Sequence, residues 1–110
     1  MRQVLICMAL AVCISPLAAS AEGQAECRHK ITVAQNAGII YWIYVKPDGV
    51  QVVVDVDTWS QSSYTTKLGL AATVECAMVN PGERLSAVVL RSHRTNKVVG
   101  RYRYPKLEVK

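Results

Sequence analysis

The chain has 110 residues, a formal net charge of +5 and 51% hydrophobic residues. That length holds one small domain and excludes a second. Charge is uneven: from Arg84 to Lys110 eight basic residues stand against one acid, Glu108, so the C-terminal third is the basic part.

The first stretch reads as a leader. Met1-Arg2 supplies a positive charge, Val4 to Ser15 is apolar, Pro16 ends the run, and Ala19-Ser20-Ala21 offers small residues for cleavage. The run is too short for a membrane anchor, since spanning takes roughly 20 residues. Residues 1–21 are therefore read as a cleaved signal peptide and residues 22–110 as a single small domain, periplasmic or secreted, with no transmembrane segment in the mature chain. Cys7 and Cys13 leave with the leader. Cys27 and Cys76 remain, and an even pair in an exported chain predicts a disulfide. In the chain-entropy model, closing a loop of about 50 residues stabilises by roughly 4 kcal/mol. Neither a CxxC motif nor a cysteine–histidine cluster points to redox or metal chemistry.

Glu22 to Glu26 is short and polar and is expected to be mobile. Ile31-Thr32-Val33 predicts a short strand, and Gln35-Asn36-Ala37-Gly38 a turn. Gly38 to Val56 then carries two β-forming runs around Lys46-Pro47-Asp48-Gly49, which is hairpin chemistry. A three-residue loop of Pro47, Asp48 and Gly49 pairs Lys46 with Val50. It sets Ile40, Trp42 and Tyr44 on one face with Val52, Val54 and Val56. Both faces are largely apolar, so something is expected to cover the second.

Ser60 is placed to cap a helix ending near Val79, with Trp59 and Tyr64 forming a hydrophobic staple. Leu70, Ala71, Val74, Ala77 and Met78 share one face of a 3.6-residue period, and Asn80-Pro81-Gly82 stops it. Leu85 to Ser92 and Val98 to Tyr104 predict a second hairpin. A loop of Arg94, Thr95 and Asn96, the asparagine left-handed, avoids setting Arg94 against Lys97. It puts Val88, Leu90, Val98, Tyr102 and Tyr104 on one side and Val89, Arg91, Val99, Arg101 and Arg103 on the other. The expected fold class is α+β in the order ββαββ: a four-stranded antiparallel sheet of two hairpins, one helix packed on one face, and one disulfide.

Arg91, Arg101 and Arg103, with Arg94 and Lys97 at the loop, make a candidate docking patch for an anionic partner. The same alternation also serves to solvate a sheet face and to protect an edge strand. Trp59 is the aromatic singled out for binding, because it sits in a connection; core packing is the cheaper account of the others. Asp55, Asp57 and Glu75 lack calcium-loop spacing, and strand termination and helix N-terminal charge explain the first two. His29 and His93 are the only histidines, and no GxSxG, HExxH or phosphate-binding glycine loop appears. No cofactor, metal or catalytic residue is expected, nor is nucleic acid a partner, for want of any fingerprint.

The expected function is that of an exported, disulfide-stapled, non-enzymatic binding protein whose basic C-terminal hairpin docks an acidic protein or an anionic envelope component. Two alternatives stand beside it. One is a structural homodimer joined face to face through the apolar first hairpin. The other is an inhibitor of an exported hydrolase, argued from size and the disulfide alone; the positive charge counts against basic lysozymes as its target.

Overall fold

The computed structural model describes the backbone from Pro16 and the side chains from Gly23 to Lys110. The leader's apolar run, Cys7 and Cys13 lie outside the described residues, and the expected cut after Ala21 falls inside the first helix. In chain order the elements are α1 (Pro16–Asn36), β1 (Ile40–Lys46), β2 (Gly49–Val54), α2 (Val56–Gln61), α3 (Tyr64–Met78), β3 (Val88–Ser92), β4 (Val98–Arg103) and β5 (Lys106–Val109). The strands form one five-stranded sheet in the order β1-β2-β3-β4-β5. Three of its pairings are antiparallel, and the fourth, β2 with β3, is parallel.

The class is α+β, as expected, but the four-stranded antiparallel ββαββ arrangement is not what forms. Parallel strands need a long crossover, and α2 and α3 supply it between β2 and β3. That seam puts both strands at the centre, where Val50, Val52, Val54, Val88 and Leu90 are buried under the helices. A fifth strand follows the turn at Tyr104-Pro105, its Leu107 buried opposite Tyr102.

The segment expected to be mobile and then extended is the helix α1. Isolated β-branched residues at Ile31-Thr32-Val33 favour a strand, but tertiary packing decides otherwise. Cys27, Ile31 and Ala34 recur at helical spacing and pack against the core. The expected disulfide Cys27–Cys76 joins α1 to α3, with Cα atoms 5.9 Å apart. Side chains of α1 also satisfy the end of α3: Arg28 Nε donates to the Ala77 carbonyl at 3.1 Å, and Gln24 donates to the Val79 carbonyl. Helix C-termini leave such carbonyls without partners.

The crossover is two helices, not one capped by Ser60. Asp55 caps α2, its carboxylate accepting from the Thr58 N–H at 3.0 Å, and Ser63 caps α3, accepting from the Thr66 N–H at 3.1 Å. Ser62 and Ser63 are extended between them, where serine side chains compete for backbone groups. The Trp59–Tyr64 staple therefore does not form. Trp59 turns inward from α2 and is 5% exposed. The stripe Ala71, Val74 and Ala77 is buried as the period predicts, and α3 ends at Met78, before Asn80-Pro81-Gly82.

The first hairpin differs in register from expectation; the second keeps the expected register from Val88 to Leu90 and departs from it only at its loop end. The β1–β2 loop has two residues, Pro47 and Asp48, and Lys46 pairs with Gly49. Gly49 is fixed by a distant contact: a Cβ there would lie 2.4 Å from the Ala87 carbonyl oxygen, at φ +142°. The slip moves Trp42, Tyr44 and Lys46 opposite Val53, Gln51 and Gly49, on the face away from the helices, and a bulge at Tyr41 returns Ile40 to the core opposite Val54. In the second hairpin Asn96 is left-handed (φ 61°) as expected. A bulge at Val99 sets Val98 opposite Arg91, so the two valines exchange their expected sides.

A candidate docking face on the open side of the sheet

Helices cover one face of the sheet, and the other is open. Register alone places its side chains. Tyr44, Gln51, Val89, Arg101 and Glu108 stand opposite one another across all five strands, in that order. The neighbouring row is Trp42, Val53, Arg91 and Val98, while Arg103 stands opposite Lys106 at the far end. Trp42 is 62% exposed and Tyr44 49%, on a strand whose other aromatic, Tyr41, stacks on the His93 ring at 4.6 Å. The face thus runs from an aromatic margin on β1 through Arg91 on β3 and Arg101 and Arg103 on β4 to Lys106 and Glu108 on β5.

The arginines are held differently. Arg91 lies across the parallel seam, its Nε donating to Gln51 Oε1 at 2.8 Å and its Nη1 to the Asn96 carbonyl at 2.9 Å. Arg101 has a buried Nε without a hydrogen-bond partner among the described residues. With Arg103, Tyr104, Pro105, Lys106 and Glu108 it lines a hollow of about 260 Å³. A second hollow of about 250 Å³ lies between Tyr44, Lys46, Gln51, Val53, Arg91 and Asn96. Anionic groups seated in either meet guanidinium forks, whose planar donors match carboxylates in pairs. Lys46, Arg91, Arg101, Arg103 and Lys106 carry positive charge on this face against the single acid Glu108, whose nearest cation is Lys110 at 3.9 Å.

Of the residues singled out from sequence, Arg91, Arg101 and Arg103 are brought together here. Arg94 is not: it forms a two-pronged pair with Asp57 at the start of α2, with Nη1 to Oδ1 at 2.8 Å. That carboxylate raises the Arg94 pKa above its ordinary value, through the hydrogen bond first and the charge second. Lys97 is exposed in the β3–β4 loop. Trp59 lies on the opposite, helix-covered side, its ring so close to Gly100 that a Cβ there would sit 2.8 Å from it. Trp42, Tyr44, Gln51 and Lys106 belong to the face and were not singled out from sequence. The two-residue loop was the signal that would have placed the first two beside Gln51.

Asp55, His93 and Glu75 are engaged within the fold. Asp55 accepts from the Thr58 N–H and hydroxyl, and those bonds hold its carboxyl below the ordinary 3.8; His93 Nε2 stands 3.6 Å from its Oδ1. His93 Nδ1 accepts from the Val56 N–H at 3.1 Å, which leaves Nε2 to carry the proton in the neutral ring. His29 is exposed on α1. Glu75, 3% exposed, accepts from Arg84 Nη1 at 3.1 Å and from the Leu85 N–H at 2.9 Å. Arg84 in turn lies 3.6 Å from the centre of the Tyr104 ring. These residues border a hollow of about 370 Å³ beside the disulfide. Burial first, and then the Glu75 charge, push the Tyr102 phenol above its ordinary pKa of 10.0.

Compared with known proteins, the chain matches no family, no curated protein and no solved structure. Among the described residues no helix is long and apolar enough to cross a membrane.

Proposed function

We propose that this chain is an exported, non-enzymatic binding protein that docks the acidic surface of a partner protein on the open face of its sheet. The observation that carries the reading is the juxtaposition of exposed Trp42 and Tyr44 with Arg91, Arg101 and Arg103 on one face that no element among the described residues covers. Aromatic residues and arginine are the side chains that dominate protein interfaces. Their arrangement by strand gives the partner an apolar anchor at one margin and charge pairing at the other. Export is supported by the leader-like start and by the Cys27–Cys76 disulfide, which persists in oxidising compartments.

Affinity capture from the envelope fraction with the oxidised mature protein, followed by titration against salt, tests this. The triple substitution Arg91→Gln, Arg101→Gln and Arg103→Gln is expected to weaken binding at least about tenfold and to flatten its salt dependence. Trp42→Ala is expected to weaken binding by a similar factor while leaving the salt dependence unchanged. Capture that is indifferent to all four changes overturns the reading.

A further inference from the structure

The two margins of the sheet are built differently. β5, at one edge, has four residues, and Lys106 and Glu108 alternate with its apolar ones. Short, charged strands of that kind resist pairing with other chains. β1, at the other edge, has seven residues, IYWIYVK, and no charge before Lys46. Its Val45 is 76% exposed, the most of any large hydrophobic residue among those described. A long, uncharged, apolar edge is a template for another strand.

We infer that the occupant of this edge is β1 of a second copy, paired antiparallel about a two-fold axis at Tyr44. Hairpin geometry points to that register. A two-residue loop makes Lys46 and Gly49 a hydrogen-bonded pair. Alternation then turns the N–H and C=O of Tyr44 toward β2 and those of Ile43 and Val45 outward. With Tyr44 on the axis, Ile43 of each copy exchanges both backbone hydrogen bonds with Val45 of the other. The register does not involve the bulge at Tyr41. Tyr44 meets Tyr44 in a close, non-hydrogen-bonded pair on the open face, and Trp42 meets Lys46, a favourable cation–aromatic contact. No charge is set against a like charge.

The helix-side neighbours fit the same occupant. Ile43 and Val45 border a mostly apolar hollow of about 360 Å³ that also touches Ile31, Ala77 and Met78, with Arg28 and Gln35 completing its lining. The copy's own Ile43 and Val45 fall on that side and cover its mouth. The axis stands perpendicular to the sheet, so ten strands become continuous and both open faces look the same way. The dimer goes beyond the docking function proposed above and stands independently of it.

Sedimentation velocity on the oxidised mature protein, from about 1 to about 200 µM to reach the range of small interfaces, is expected to show a monomer becoming a dimer. Val45→Lys is expected to abolish the dimer, with an unchanged circular-dichroism spectrum to show that the monomer still folds. For the register, Trp42→Cys and Lys46→Cys proteins are mixed under oxidising conditions. Cross-linked dimers are expected in the mixture well above the yield of either protein alone. A monomer throughout the range overturns the inference. So does a dimer that survives Val45→Lys, or cross-linking of Trp42→Cys equally well with itself, as face-to-face hairpin packing would give.

Discussion

Glu75 shows how single residues fasten this small fold. Its carboxylate is almost completely buried on α3 and yet fully engaged, one oxygen with Arg84 and the other with the Leu85 N–H. It thereby ties the chain after Asn80-Pro81-Gly82 back to the helix it has just left, and so positions the approach to β3. Arg84 is itself half-exposed, so screening reduces the ion pair, and the part-buried Leu85 N–H carries more of the effect. Glu75→Ala is expected to destabilise by about 1–3 kcal/mol in urea unfolding, because it strands the Leu85 donor. Glu75→Gln keeps an acceptor for that donor and is expected to cost less. Little of this was legible from sequence, where Glu75 appeared only as a weak companion to Asp55 and Asp57. Gly49 was harder still: its need for a bare α-carbon comes from Ala87, the residue before β3, which meets the hairpin only through the tertiary fold. The left-handed Asn96, by contrast, was readable, because avoiding Arg94 against Lys97 is a local matter.

Among the elements, α2 is the one whose stability should follow pH. Asp55 caps it in its ionised form, and the Thr58 bonds lower its folded pKa below 3.8. A lowered folded pKa adds stability that is fully present above the unfolded value and is lost as pH falls through the folded one. Thermal unfolding of wild type and Asp55→Asn, compared from about pH 6 to about pH 2, is expected to show wild type ahead at the upper end, with the gap closing below 3.8. A gap constant with pH would show that the carboxylate's charge contributes nothing. The boundaries here also mark what pattern reading reaches. The α3 stripe was legible because its apolar period is continuous and a proline–glycine stop follows it. The division at Ser62 and Ser63 was hidden by a run of serines and threonines that suits a cap, a turn or a weak helix equally. α1 was lost to the local preference of Ile31 and Val33, and β5 to its brevity, with Leu107 its one buried side chain. For the proposed docking face, the three arginines were readable by alternation along β3 and β4. Trp42 and Tyr44 were not, since a one-residue slip carries every side chain of a strand to the other side.

For the whole molecule, the disulfide does what a larger core would otherwise do. Cys27 and Cys76 are separated by 49 residues, and their bridge holds α1 on α3 at a point enclosing the first hairpin and the crossover. Replacing both with alanine is expected to lower stability by about 2–4 kcal/mol, measured by urea unfolding against the oxidised protein. A loss under about 1 kcal/mol would show that packing of Ile31 and Ala34 suffices without the bridge.

The parallel seam between β2 and β3 has one more consequence, and it concerns time. Neither hairpin possesses a core of its own: Val50, Val52 and Val54 are sealed only when Val88 and Leu90 arrive beside them. Such distant pairings form late in folding, after the intervening chain has been gathered up. A polypeptide emerging amino end first therefore displays the sticky segment Ile40 to Val54 before the residues that shelter it exist outside the exit channel, and during that interval it depends on being kept from its neighbours.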